Sequence, residues 1–201
     1  MAASDEPALR GSQRRDAIGQ AAMAVLARDG LAGLSMQAVA RASGLAKSVV
    51  VYHVRDRQGL LTLTAETVFA ARQALEQTTF QAEGDPRQHL SHWLNQQFDA
   101  AESDDSPIRL AWLLQLDREP RHARAAATDY GRSWTYRLSQ LLARGHAQAC
   151  WHAPDALRLA TAVRAMTDGY LLQMLATSEK QNEIKRLRAA CRGAVMDLLV
   201  R

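Results

Sequence analysis

The chain has 201 residues, with 25 Lys or Arg against 21 Asp or Glu, which gives a formal net charge of +4. A hydrophobic fraction of 47% is ordinary for a folded chain and excludes disorder throughout. No apolar run is long enough for a membrane span, the N-terminus does not resemble a secretory signal, and the two cysteines fit neither a disulfide framework nor a metal site. We therefore expect a cytoplasmic protein with no cofactor, no metal and no membrane association.

The sequence predicts an all-α fold of about nine helices, because apolar residues recur at helical spacing between capping and stopping residues. Ser35, Asp56 and Asp85 are suitable N-caps, while Gly30 and Gly44 are expected to stop helices. Proline at a first helical position marks further starts, as at Pro107, Pro120 and Pro154. The predicted helices are 13–28, 36–42, 46–53, 57–79, 86–100, 107–117, 120–147, 154–177 and 180–200.

The positive charge is concentrated near the N-terminus. The segment from Arg10 to Arg57 holds eight basic and three acidic side chains, a net of +5, whereas residues 58–201 hold seventeen basic and sixteen acidic ones, a net of +1. A basic head on a nearly neutral body suggests a polyanionic partner for the head.

The segment from Ser35 to Arg57 has the pattern of a helix-turn-helix, with two short helices joined through Gly44. The second helix of this motif, which is the third of the chain, would leave Lys47, Ser48, Val49, Val51 and Tyr52 on its outer side. Lys47 can donate to guanine, Val49 and Val51 can contact thymine methyl groups, and Ser48 can bond a base or a phosphate. A tight corner of any all-α protein, with Lys47 merely solvated, would have the same pattern.

The spaced elements from Arg15 to Leu61 resemble the TetR family of bacterial transcriptional repressors. They include Leu34-Ser-Met-Gln-Ala-Val-Ala-Arg-Ala-Ser-Gly-Leu45 and Tyr52-His-Val-Arg-Asp-Arg-Gln-Gly-Leu-Leu61. The resemblance implies a three-helix head with a helix-turn-helix, followed by a helical ligand-binding and dimerisation domain. It divides the chain into a flexible arm (1–13), a DNA-binding head (14–60) and a body (61–201).

The resemblance also implies roles for single residues. Ser35, Tyr52, His53 and Arg57 match positions that face DNA phosphates, with Arg57 standing where the family generally has Lys. Ala46 departs from the family because it replaces the usual capping Ser or Thr of the third helix, and Val51 departs because it replaces a common Tyr. The elements Arg55 to Leu61 and Thr167-Asp-Gly-Tyr170 further resemble the BetI-like branch.

Aromatic and acidic residues of the body are candidates for binding a ligand. Trp112 and Trp134 are expected in the helices that enclose family ligands, and aromatic rings can hold a quaternary ammonium group. Filling the helical core explains the same aromatic residues. The candidate ligand-binding residues are Trp112, Trp134, Tyr130, Asp168 and Tyr170.

The last two predicted helices carry apolar stripes that exceed the needs of a surface pair, among them Val163, Leu171, Leu187 and Val195. The family uses helices 154–177 and 180–200 to form a homodimer; an intramolecular core face is the alternative.

We find no catalytic grouping, and His89 and His92 have no evident third metal ligand. We therefore expect no enzyme but a repressor that binds a palindromic, double-stranded operator as a dimer and is released by a small-molecule inducer. The alternative is a helical ligand-binding or interaction protein whose head does not bind DNA.

Overall fold

The computed structural model describes residues 5–81, 84–103, 105–115, 121–176 and 182–200, and within these ranges the chain is helical with no strand. The fold is all-α, as predicted. The nine helices of the described residues are α1 (Asp5–Gly33), α2 (Met36–Ser43), α3 (Lys47–Val54), α4 (Arg57–Gln81), α5 (Pro86–Ala101), α6 (Pro107–Gln115), α7 (Arg121–Ala147), α8 (Ala156–Ala176) and α9 (Asn182–Val200).

The capping residues chosen from the sequence mark most of the helix ends. Ser35 Oγ accepts a hydrogen bond from the Ala38 N–H at 3.2 Å, and Gly44 ends α2 with a left-handed φ of 68°. Asp85 Oδ1 accepts from the Arg87 N–H at 2.9 Å, and Pro86 opens α5. Each cap satisfies a backbone group that the helix itself leaves unpaired.

Two predicted helices had wrong boundaries. The helix expected at 13–28 begins at Asp5 and ends at Gly33. The backbone is kinked at Gly30 (φ 66°, ψ −173°), but the helix continues beyond it. Glycine adopts this conformation without a steric penalty. The helix expected at 154 begins at Ala156, because the Asp155 carboxylate accepts the Arg158 N–H at 3.0 Å and is the cap. The ends expected at 117 and 177 and the starts expected at 120 and 180 lie outside the described residues.

Contacts divide the chain into two compact units. Unit 1 comprises residues 1–72 and 104–128, and unit 2 comprises residues 73–103 and 129–201. The units are defined by contacts within the chain, and their bounds do not test the expected division into an arm (1–13), a head (14–60) and a body (61–201). That division stays a prediction. None of the helices in the described ranges is long and apolar enough to cross a membrane.

In unit 1, α1, α2, α3 and the start of α4 surround one apolar core, and α6 packs against α1. The buried core residues are Ile18, Ala21, Ala22, Val25, Leu34, Ala38, Val39, Ala40, Val50, Val54, Leu60 and Leu63. This core holds the two short helices, which are too short to be stable alone.

In unit 2, α8 packs against α9, and α5 packs against both. The apolar stripes of α8 and α9 are largely interior: Val163, Leu171, Leu187 and Val195 are all buried. They therefore serve as an intramolecular core face, which is the alternative that the sequence left open. Three of the four tryptophans (Trp93, Trp134 and Trp151) belong to unit 2, and Trp112 belongs to unit 1.

Candidate DNA-binding surface and ligand-binding region

Helices α2 and α3 pack as a helix-turn-helix against the core of unit 1. Val39, Ala40 and Val50 are buried, and Leu45 is partly buried against the same core. The turn is possible because Gly44 takes the left-handed conformation (φ 68°, ψ 11°). Ala46 provides no side-chain hydrogen bond at the start of α3, as its departure from the family pattern implied.

One face of α3 is open to solvent. Lys47, Ser48, Val51 and Tyr52 are exposed, with Tyr52 82% exposed, and their spacing places them along one side of the helix. Val50 and Val54 anchor the opposite side in the core. Val49 and His53 are half-buried between these two sides. The outward face that the sequence predicted is therefore present, with Val49 at its margin.

Tyr52 and His53, at the end of α3, contact each other edge to face. Their ring centroids are 5.3 Å apart and the planes meet at 87°. This arrangement is a favourable one for aromatic rings, and it restricts the directions in which the exposed phenol can point.

Ser35 and Arg57 flank this surface, and both already make contacts within unit 1. The Ser35 hydroxyl accepts the capping bond and retains its own hydrogen for donation. The Arg57 guanidinium donates to the carbonyl oxygens of Leu34 at 2.7 Å and Leu31 at 3.3 Å. Arginine has five N–H donors, so others remain for a phosphate. The two carbonyl contacts were not predicted.

The junction between α3 and α4 is tightly built. Arg55 has φ 64° and ψ −62°, and the Asp56 N–H donates to the Val54 carbonyl oxygen at 2.8 Å, which together form a γ-turn of the rare, strained type. Asp56 then caps α4 by accepting the Gly59 N–H at 2.8 Å. A Cβ atom at Gly59 would lie 1.9 Å from the Val54 carbonyl oxygen, so glycine is required for this close approach.

Some basic side chains of unit 1 pair with carboxylates and others do not. Arg28 hydrogen-bonds Asp29 and thereby lowers the pKa of that carboxyl group, and Arg15 pairs with Glu66 at 2.7 Å. Lys47 and Arg55 have no carboxylate partner among the residues that the structure describes. The cations nearest the exposed face of α3 are therefore available to an anionic partner.

The candidate ligand-binding residues of unit 2 have partners that the sequence did not reveal. Tyr130 is buried and its hydroxyl donates to Glu76 Oε2 at 2.6 Å, while Gln97 donates to Glu76 Oε1 at 2.9 Å. Glu76 is itself buried, with 1% of its surface exposed. A signal for it existed, since Glu76 lies seven residues after the buried Phe69 on the inward side of α4.

Trp134 and Asp168 are brought together through Arg164. The Arg164 guanidinium lies 5.5 Å from the Trp134 ring centroid, and its Nε is 3.4 Å from Asp168 Oδ2. Trp134 also contacts Trp93, with ring centroids 5.0 Å apart. Tyr170 is half-buried on α8, and Trp112 is half-buried in unit 1.

No grouping of His, Cys, Asp and Glu within the described ranges could hold a metal ion. His89 Nδ1 instead lies 2.9 Å from Arg144 Nη2.

Residues 18–63 match the family model of bacterial regulatory proteins of the tetR family. These residues contain the helix-turn-helix and its exposed α3 face. This part of the chain is therefore similar to the TetR family. The matched residues form a helix-turn-helix, and the matched family consists of transcriptional regulators and not of enzymes, as the sequence predicted.

Relatives extend the likeness beyond residues 18–63. The HTH-type transcriptional regulator BetI of Paraburkholderia phytofirmans is 27% identical over 178 residues, which cover 88% of this chain and 89% of that protein. This similarity is consistent with the resemblance to the BetI-like branch.

Solved structures share the fold. A TetR-family transcriptional regulator from Agrobacterium tumefaciens has a TM-score of 0.74 at 17% identity, covering 94% of this chain and 100% of that one. A protein from Saccharomonospora viridis, solved in complex with choline, has a TM-score of 0.73 at 20% identity, covering 94% of this chain and 99% of that one.

Proposed function

We propose that this protein is a cytoplasmic repressor that binds a palindromic operator as a homodimer and leaves it when a small molecule binds in the body. The observation that carries the proposal is the exposed face of α3, where Lys47, Ser48, Val51 and Tyr52 project from a helix anchored by Val50. A short helix anchored in this way fits the major groove and presents its N-terminal side chains to base edges.

Each DNA-facing residue has a distinct role in this proposal. Lys47 donates to guanine O6 or N7, Val49 and Val51 contact thymine methyl groups, and Ser48 bonds a base or a phosphate. The phosphate contacts come from Ser35, Tyr52, His53 and Arg57, which lie around α3 and set the register of the head on the duplex.

Exposed small residues on α8 and α9 support a homodimer. Thr161, Ala165, Gly169 and Leu172 follow one another along an exposed side of α8, and Ala189, Gly193 and Met196 do so on α9. Cβ atoms added at Gly169 and Gly193 would meet nothing within 4 Å. Small side chains allow helices of two subunits to approach closely, and a two-fold axis would place two heads on successive half-sites about 34–36 Å apart.

We propose a small organic cation as the inducer. The buried Glu76 carboxylate with Tyr130 and the Trp93–Trp134 pair place negative charge and aromatic faces in unit 2. Such groups hold quaternary ammonium ions. The structurally similar protein from Saccharomonospora viridis was solved with choline, which makes choline the first probe. Trp134, Tyr130, Asp168 and Tyr170 stay candidate ligand-binding residues of unit 2, and Trp112 stays a separate candidate in unit 1.

The DNA-binding proposal is tested by fluorescence anisotropy with the duplex from upstream of the protein's own coding sequence and with a scrambled duplex. Tyr52→Ala should weaken binding to both duplexes, whereas Lys47→Ala should also reduce the preference for the upstream duplex, by about 1–3 kcal/mol if one bidentate base contact is lost. Arg158→Ala, at an exposed position on α8, is the matched control and should bind as the wild type does. Absence of binding by the wild type to either duplex at low salt would favour the alternative of a head that does not bind DNA.

The dimer and the inducer have separate tests. Light scattering should give twice the chain mass, and Ala165→Arg should give a monomer, while Gln140→Arg at an exposed position on α7 should leave the dimer intact. Choline should raise the melting temperature by mass action, whereas its uncharged isostere 3,3-dimethylbutan-1-ol should not. Glu76→Gln should remove the response to choline. A response equal for both compounds would refute a charge-recognising site.

A further inference from the structure

A polar groove on unit 2 has no part in the proposed DNA or inducer binding. It has a volume of about 440 Å³ and lies between α5 and α9. Five of its six lining residues are spaced along one side of α5, and the sixth comes from α9. They are Arg87, Gln88, Ser91, His92, Asn95 and Arg192.

The cations of this groove lack acidic partners. The side chains of Arg192 and His92 make no ion pair or hydrogen bond within the described part of the chain, and the Arg87 guanidinium donates only to the Cys150 carbonyl oxygen, at 3.0 Å. The neighbouring Arg188 on α9 differs, because it pairs with Asp99 at 2.7 Å and with a second carboxylate. No carboxylate is among the six lining residues.

The groove also offers neutral hydrogen-bond donors. The amides of Gln88 and Asn95 and the hydroxyl of Ser91 line the groove together with the two guanidinium groups. The bond to the Cys150 carbonyl restricts the Arg87 side chain, so less conformational freedom is lost when an anion binds. The volume is that of a small-molecule site and too small for a duplex.

We propose that this groove binds a small multivalent anion, either an organic phosphate or a polycarboxylate. The guanidinium groups of Arg87 and Arg192 form charge-assisted hydrogen bonds to the anion from opposite walls, and the amides complete its coordination. The six lining residues belong to unit 2 and the exposed face of α3 belongs to unit 1, so the groove shares no residue with the proposed DNA-binding surface.

Isothermal titration calorimetry of the full chain without DNA tests this proposal, with inorganic pyrophosphate and citrate as the two probes. We expect one site per chain, and binding about tenfold weaker in Arg192→Gln, since a lost charge-assisted hydrogen bond has an effect of this size. The double variant Arg87→Gln with Arg192→Gln should not bind. Binding of pyrophosphate alone assigns a phosphate ligand, and binding of citrate alone assigns a polycarboxylate.

Two controls separate the groove from the basic head. Arg158→Gln removes a charge elsewhere on unit 2, and Lys47→Ala removes one from α3; both should bind the probes as the wild type does. Unchanged melting temperatures establish that the groove variants fold, and Arg192→Lys should recover part of the affinity. The proposal is overturned if the wild type binds neither probe at millimolar concentration, if the double variant still binds, or if Lys47→Ala abolishes binding.

Discussion

Gly59 lies in the first turn of α4 against the end of the recognition helix α3, and we predict that Gly59→Ala destabilises the head. The added Cβ would lie 1.9 Å from the Val54 carbonyl oxygen and 3.0 Å from its carbon. Non-bonded carbon and oxygen atoms pack at about 3.3 Å, so α3 and α4 must separate by roughly 1.4 Å. Both contacting groups are backbone, and no side-chain rotation can relieve the overlap.

The expected loss follows from three contributions. Forced backbone shifts in a packed core cost about 1–3 kcal/mol. The Val54 carbonyl also accepts the Asp56 N–H at 2.8 Å, and loss of that hydrogen bond costs about 1 kcal/mol. Alanine regains about 1 kcal/mol through its higher helix propensity. The free energy of unfolding of the head should therefore fall by about 1–3 kcal/mol.

Urea denaturation followed by far-ultraviolet circular dichroism measures this change. Gly11→Ala is the matched control, because a Cβ at Gly11 on α1 meets nothing within 4 Å. It should leave the stability unchanged or raise it by up to about 1 kcal/mol. If Gly59→Ala is as stable as Gly11→Ala, the close packing of α3 against α4 is not as described and the reasoning fails.

Three further changes have expected outcomes. Ala46→Ser should raise the stability of the head by about 1 kcal/mol in urea, because it adds a side-chain cap to α3 where none is present. Arg55→Gly should raise it by about 1 kcal/mol, because glycine relieves the strained φ of 64°. Burial raises the pKa of the Cys191 thiol from 9.0 to about 11. Its contribution to stability is therefore present below pH 9.0 and is lost as the pH rises toward about 11. Cys191→Ala should remove this part of the pH dependence, measured by urea melts across that interval.

Each of these three predictions has a result that would contradict it. Lower stability of Ala46→Ser would show that the serine hydroxyl does not reach the first-turn N–H groups of α3. A destabilised Arg55→Gly would show that the junction is not strained. Rapid alkylation of Cys191 by iodoacetamide in the folded protein, detected by mass spectrometry, would contradict its burial.

Local capping chemistry made most of the fold predictable. Ser35 and Gly44 mark the two ends of α2, because a side-chain acceptor and a left-handed glycine satisfy the backbone groups that a helix leaves unpaired. The failures have local causes as well. A glycine permits either a stop or a kink, and at Gly30 the helix resumes. Asp155 outcompetes Pro154 as a helix start because its carboxylate accepts a backbone N–H.

The outward face of α3 was predictable because helical spacing separates it from the buried Val50 and Val54. The contacts of Arg57 were not predictable, since the Leu34 carbonyl is 23 residues away in sequence. It accepts from the Arg57 guanidinium only when α4 packs beside the end of α1. In the same way, aromatic content pointed to Tyr130 and Trp134, but their partners Glu76 and Arg164 lie on other helices. Sequence periodicity identified an apolar side of α8 and could not tell which unit or subunit covers it.

The distribution of tryptophan gives the protein an uneven optical response. Because Trp93, Trp134 and Trp151 belong to unit 2 and only Trp112 belongs to unit 1, intrinsic fluorescence is dominated by unit 2. The close Trp93–Trp134 pair adds an aromatic circular dichroism signal from that same unit. An emission-monitored melt would therefore report mainly on unit 2, and a fluorescent label attached beside Tyr52 would report on helix α3.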